Sequence, residues 1–258
     1  NIYLHIGDEE VVNHSISNIS TISFIFFKLQ QIIKKKAKIY ETLKELKELF
    51  LTSKEDQARF NIPNYKIQLF KLIKFYGIYY SFAVGSLVIY SIIHFILNGP
   101  KELPIVIWLP LNYGTNLRYF VAVLWVSLCS VNGVVARCAV DWFLFAILTN
   151  VSMEFDILRM KMQEVYVNAE GARNFIIHHN KLIGICNKME EIFSTMLFFC
   201  FIQSSFLISM AAFSLATTES IVDGAILAAR LSLSLIQSYL PFRYGQKLID
   251  SSSEIAAA

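Results

Sequence analysis

Residues Phe75–Leu97 read FYGIYYSFAVGSLVIYSIIHFIL, an unbroken run without Asp, Glu, Lys or Arg. Coiled as an α-helix, such a run rises about 34 Å, slightly more than the ~30 Å hydrocarbon core of a bilayer. Charge-free runs recur at Tyr119–Ala136 and at Ile192–Thr218. The chain of 258 residues is 55% hydrophobic and only 17% charged, where a soluble domain carries roughly 25% charged residues. Contiguity decides the class, because runs of membrane length mark helices that cross lipid. The expected fold is all-α: a polytopic helical membrane protein.

Working outward, spans are expected at 16–33, 75–97, 119–138, 194–215 and 221–241. The first is laced with Ser17, Asn18, Ser20, Thr21, Ser23 and Lys28, so its polar groups must face other helices or a cavity. Residues 1–15 are polar and hold the sequon Asn13-His14-Ser15, with another at Asn18-Ile19-Ser20, which suits an outer loop. After Lys34–Lys38, the residues Ile39, Leu43, Leu46 and Phe50 recur at helical spacing among charged neighbours, predicting an amphipathic helix. Asn98-Gly99-Pro100 ends the second span, and Trp108 and Tyr113 in the following loop suit an interface. The third apolar stretch runs from Tyr119 past residue 150, too long for one crossing. Arg137 and Asp141 stand four apart near the far interface, where an ion pair is the simplest account. Beyond them Phe143, Leu144, Phe145, Ile147, Leu148, Val151, Phe155, Ile157 and Leu158 remain oily, so that segment must be covered by protein. Gly171 breaks the pattern before a return helix begins near Ala172. The last span ends LIQSYLPF, where Pro241 is expected to break the helix before the small-residue run Ser251–Ala258 opens another.

The 23 cations orient the chain. With residue 1 outside, the inner segments 34–74, 137–188 and 243–258 hold 11, 6 and 2 of them, against Lys101 and Arg118 in outer loops. Nineteen against two obeys the positive-inside rule. Residues 139–193 and 242–258 are then intracellular. Five spans starting outside on a chain without an initial Met imply a first span ahead of Asn1 and a seventh after Ala258. Arg230 lies about 13 Å below Ile221, so it should face a polar cavity, snorkel outward, or pair with Asp223.

No Gly-rich phosphate loop, HExxH, metal-ligand spacing or nucleophile motif occurs, so neither an enzyme, a cofactor nor a metal is expected. His178 and His179 are adjacent and point to different helix faces, which suits chelation poorly. Most acidic residues of the inner helices are expected to be solvated, and no pair of them reads as a catalytic dyad. Cys129, Cys138, Cys186 and Cys200 form no CxxC pair and are read as buried thiols. The Lys34–Lys38 cluster flanks a span, so it reads as a membrane-side flank and not as a nucleic-acid site.

In order and spacing, these features resemble the insect odorant receptors over essentially the whole chain. Asp141 followed by Leu144, Phe145 and Leu148 is similar to that family's signature at the exit of its fourth span. Residues 176–205, IIHHNKLIGICNKMEEIFSTMLFFCFIQSS, resemble its histidine-led helix feeding a Phe/Ser-rich span, with His179 at the family position. The tail GQKLIDSSSEIAAA resembles the run leading into its last helix. The resemblance implies a ligand-gated, non-selective cation channel subunit in the plasma membrane, joined in a heterotetramer by the odorant-receptor co-receptor. The compact stretch Asn150–Ile185 lacks the co-receptor's long insertion, which implies a ligand-tuning subunit. The oily inner helices correspond to the family's anchor domain, where subunits meet. The ion path belongs to its last helix, expected beyond Ala258.

The family binds a small volatile ligand in the outer half of the bundle. By depth, expected linings are Ile22 and Phe26, then Phe82, Ser86 and Tyr90, then Tyr119, Val123 and Val126, and finally Leu227 and Leu231. Competing readings are a gustatory receptor channel subunit, a secondary transporter and a membrane scaffold. A transporter would show internal repeats and matching Gly/Pro-broken helices, and neither is present. The inside terminus also runs opposite to a G-protein-coupled receptor.

Overall fold

The computed structural model describes residues 9–50, 53–96, 103, 114–165, 169–217 and 221–257. The regular elements among them are all α-helices: α1 (Glu9–Lys34), α2 (Lys36–Leu49), α3 (Lys54–Arg59), α4 (Ile62–Ile96), α5 (Asn116–Val165), α6 (Ala169–Thr217) and α7 (Ile221–Ala257). Helices of 50 and 49 residues, α5 and α6, each rise about 74 Å, more than twice a bilayer core. Among the described residues, Ser15–Lys34, Asn116–Met162 and Glu170–Thr217 are long and apolar enough to cross a membrane. The protein is a polytopic helical membrane protein. The expected spans 75–97 and 221–241 contain residues whose side chains lie outside the described set, as do Trp108 and Tyr113.

Several local expectations are corrected. Helix α1 starts at Glu9, so both sequon asparagines sit in a helix and not in a loop. Helix α7 runs unbroken through Pro241 and includes Ser251–Ala257 as its own last turns. A proline removes one i→i−4 bond, and here the buried Leu240, Pro241 and Ser251 hold both sides of the gap in register. Gly171 lies in the first turn of α6, which begins at Ala169. On α2 the buried face is Ile39, Thr42 and Leu46, while Leu43 is exposed. Thr42 takes a core position because its Oγ1 donates to the Lys38 carbonyl at 2.8 Å, leaving no unpaired hydroxyl. Between α3 and α4, Asn61 has φ 55°, a left-handed turn that asparagine tolerates better than most residues.

The chain divides into two compact units. Unit 1 holds residues 1–28, 75–139 and 201–237; unit 2 holds 29–74, 140–200 and 238–258. Unit 2 is built on an antiparallel pairing of α5 with α6. Phe143 meets Phe193 at a ring separation of 6.2 Å and Phe155 meets His179 at 6.5 Å, so partner numbers fall as α5 numbers rise. The seam is spaced alternately four and three apart, but for one step of seven after Val151: Val140, Leu144, Ile147, Val151 and Leu158 on α5, and Leu182, Ile185, Met189, Ile192 and Met196 on α6, all buried. That spacing keeps one face of each helix on its partner. Ile39 and Leu46 of α2 and Ile255 of α7 join the same core.

Polar clamps rim this core. Lys188 reaches Glu41 at 2.6 Å and Glu45 at 2.7 Å, Lys38 pairs with Glu191, and Arg159 of α5 pairs with Glu254 of α7. Lys35 Nζ donates to the carbonyls of Glu191 at 2.7 Å and Ile192 at 2.9 Å. Tyr65 of α4 donates to Asp156 at 2.6 Å, and burial followed by this bond pushes its phenol pKa well up. Lys247 of α7 lies 4.8 Å over the Tyr65 ring. Such exposed pairs align helices, and the apolar seam supplies the cohesion.

Leu182 is fully buried in the seam and Ile183 beside it is exposed. Leu182→Ala is therefore expected to destabilise the fold by about 2–5 kcal/mol. Ile183→Ala should change it by less than about 0.5 kcal/mol. Chemical denaturation of the detergent-solubilised protein checks the contrast.

Candidate ligand site

Among the described residues, unit 1 buries Phe24 and the tyrosines Tyr76, Tyr80 and Tyr119. Tyr119 has no exposed surface. Its hydroxyl donates to the Ser91 carbonyl of α4 at 3.1 Å, and its ring lies 4.7 Å from that of Phe95. Val123 and Val126 follow on the same face of α5, four and three residues on, and both are buried, as is Leu227 of α7. Two further tyrosines of α4, Tyr76 and Tyr80, are buried one turn apart with rings 4.8 Å apart and hydroxyls 3.4 Å apart. Tyr79 shares a hydrogen bond of 2.5 Å with Ser232 of α7. Helix α1 enters through Ile25, whose Cδ1 lies 3.9 Å from the position of a Cβ on Gly133.

These contacts separate the expected lining residues into groups. Tyr119, Val123, Val126 and Leu227 are buried, and Leu231 is half-buried. Phe82 is 73% exposed and Phe26 69%, with Ile22 and Ser86 also exposed. Phe82 and Ser86 belong instead to an open apolar trough of about 360 Å³, lined by Phe82, Gly85, Ser86, Ile89 and Ile93. All five residues lie on one face of α4, roughly opposite the buried Tyr80, so the trough points away from the unit's interior. The side chains of Tyr90, Asp223 and Arg230 lie outside the described set.

At the other end of unit 1, Arg137 is buried and its guanidinium donates to Gln237 Oε1 of α7. The sequence suggested an ion pair of Arg137 with Asp141, which is itself buried; Gln237, 100 positions away, is a further partner that carried no local signal. Lys28 is also buried, with Nζ 5.0 Å from the Phe24 ring centroid, an arrangement that shelters a cation in apolar surroundings. Ser127 and Ser130 donate to carbonyls four residues back, at 2.6 and 2.7 Å, which satisfies hydroxyls within one helix. Cys138 and Cys200 are buried as expected, Cys186 is half-buried, and Cys129 is exposed. Burial pushes the Cys186 thiol up to about 11, which leaves it unreactive. Among the described residues no group of His, Cys, Asp and Glu is arranged to hold a metal.

The profile of the 7tm odorant receptor family matches residues 10–258. The chain belongs to the odorant receptor family. Putative odorant receptor 85d of Drosophila melanogaster is 22% identical over all of this chain and 67% of its own length. Odorant receptor 85c of the same fly is 22% identical over 93% of this chain and 67% of its own length, and odorant receptor 85b is 22% identical over 95% and 68%. Membership makes the chain a membrane receptor of olfaction. Tyr76, Tyr79 and Tyr80 of α4 were missed as site neighbours, although paired Tyr76 and Tyr80 one turn apart in an otherwise apolar run signal a buried polar contact.

Tyr119→Phe removes one buried hydroxyl and its bond to Ser91 while keeping the ring. Interhelical bonds of this kind contribute about 0.6–2 kcal/mol in membranes. The expected result is a loss of that size in denaturation midpoint experiments, with folding retained.

Proposed function

We propose that this odorant receptor is the ligand-tuning subunit of a ligand-gated, non-selective cation channel in the plasma membrane, acting with the odorant-receptor co-receptor. Its pocket for a small volatile ligand is the outer half of unit 1. The observation that carries this reading is family membership over residues 10–258 together with a buried stripe of one tyrosine and two valines on α5. From the helix ends at Asn116 and Ile221, Tyr119, Val123, Val126 and Leu227 lie within about 15 Å, the depth of half a bilayer. A volatile ligand has few polar atoms, so shape and ring contact dominate its recognition, with a phenol to fix its orientation. Tyr119, Val123, Val126 and Leu227 form the centre of the proposed pocket, Leu231 and Tyr90 its margin. Ile22, Phe26, Phe82 and Ser86 serve it only where a further helix or partner covers their exposed faces.

Unit 2 takes the intracellular, subunit-contacting role in this proposal. Its α6 exposes Ile176, Ile177 and Ile183 on the side away from the seam, and exposed apolar residues outside lipid favour a protein partner.

The test is odour-evoked current from the whole receptor co-expressed with the co-receptor. Val123→Phe and Leu227→Phe are expected to shift half-maximal concentration about tenfold, equivalent to about 1.4 kcal/mol, for some ligands and to reorder the panel. An unchanged rank order in both variants places the pocket elsewhere. No current with any ligand removes the channel reading.

A further inference from the structure

The α5–α6 seam of unit 2 contains two residues foreign to an apolar core. Continuing the four-three spacing from Val151 to Leu158 passes through Glu154, and continuing it back from Leu182 reaches His178. Glu154 has no exposed surface, and neither of its carboxyl oxygens has a hydrogen-bond partner among the described residues. His178 Nε2 is buried and equally without one, and it lies 3.7 Å from Glu154 Oε2. The acid, expected from the sequence to be solvated, is the most enclosed charged residue of the seam.

An isolated carboxylate in such a place is expensive, as is an isolated imidazolium. One proton between the two groups removes both costs. At 3.7 Å the contact is longer than a hydrogen bond, so a small closure or one bridging water completes it. Lys161 on α5 and Lys181 on α6 are the charges that bear on the pair. Asp156 and Arg159, also on α5, are engaged by Tyr65 of α4 and Glu254 of α7.

We propose that Glu154 and His178 form a buried proton-binding site that holds a single proton, fixes how the α5 and α6 faces meet, and loosens the seam when the proton leaves to solvent. This is independent of any ligand or channel activity. Burial raises Glu154 to about 7, with Lys161 opposing, and burial lowers His178 to about 4, with Lys161 and Lys181 adding to the effect. The folded pair therefore holds one proton from about pH 4 to about pH 7.

An acid raised from 4.5 imposes a cost that is absent below 4.5 and grows as pH rises to about 7. A histidine lowered from 6.5 imposes a cost that is absent above 6.5 and grows as pH falls to about 4. Between 4.5 and 6.5 the unfolded chain also holds one proton on the two groups, so the slopes cancel and the pair adds no pH dependence there. Breaking the pair exposes each slope.

Purified, detergent-solubilised protein tests this by denaturation across pH. The wild type is expected to show no contribution from the pair over that interval. His178→Gln should lose stability as pH rises from about 4.5 to 7, and Glu154→Gln should gain it from about 4 to 6.5, each by up to tenfold in the unfolding constant per pH unit. Infrared difference spectra of wild type against Glu154→Gln should show a protonated carboxyl band at about pH 6 that is lost by about pH 8. The spectra need only Glu154→Gln to fold, and if it does not, the wild-type band and its loss with pH carry the test. Absence of that band, or single variants with the wild-type pH profile, overturns the proposal.

Discussion

Helix length is the constraint from which the rest follows. A bilayer core accommodates about 30 Å of helix, and α5 and α6 each run for about 74 Å. Their apolar residues do not stop where lipid must. Val140 to Leu158 on α5 and Leu182 to Met196 on α6 are therefore covered by each other, and by α2 and α7, to make the core of unit 2. With unit 2 outside the bilayer, as proposed, the hydrophobic effect acts on that surface in the ordinary way, because the alternative to burial there is water.

Unit 1 faces a different alternative. Where it lies in lipid, as proposed, apolar surface gains little from burial, and cohesion rests on packing and on bonds between helices. Its inward contacts have that character: Tyr119 to Ser91, Tyr79 with Ser232, Arg137 to Gln237. In the proposed pocket, polar tips of the same kind orient the ligand. A receptor pocket and a membrane-helix interface thus draw on the same residue types.

This difference also explains what was legible. Charge-free runs such as Phe75–Leu97 reveal the membrane class directly, and the oily residues after Asp141 reveal a protein-covered extension. Hydropathy does not distinguish a lipid-facing residue from a core residue, since both are apolar: Phe82 and Tyr119 look alike in sequence and differ as 73% and 0% exposed. For that reason the expected ligand-lining residues scatter, while the helices carrying them do not. Pro241 misled because a proline does not always end a helix: α7 runs through it, with Leu240 and Pro241 buried. Glu154 misled because it was read as one of several inner acidic residues, although seam spacing through Val151 and Leu158 marks it as interior.

That spacing has a consequence for specificity. The apolar seam residues are nearly interchangeable in size, so sliding α6 along α5 by one seam position exchanges leucine and isoleucine for valine and methionine at modest cost. Glu154 and His178 do not tolerate the exchange: any shift sets a buried acid against an aliphatic side chain. A polar pair at core positions is weak evidence for stability, and its best-attested use is to set a register. Unit 2 gives up apolar contact at one layer of its seam, and that layer is the one at which only a single alignment of α5 and α6 leaves no charge alone.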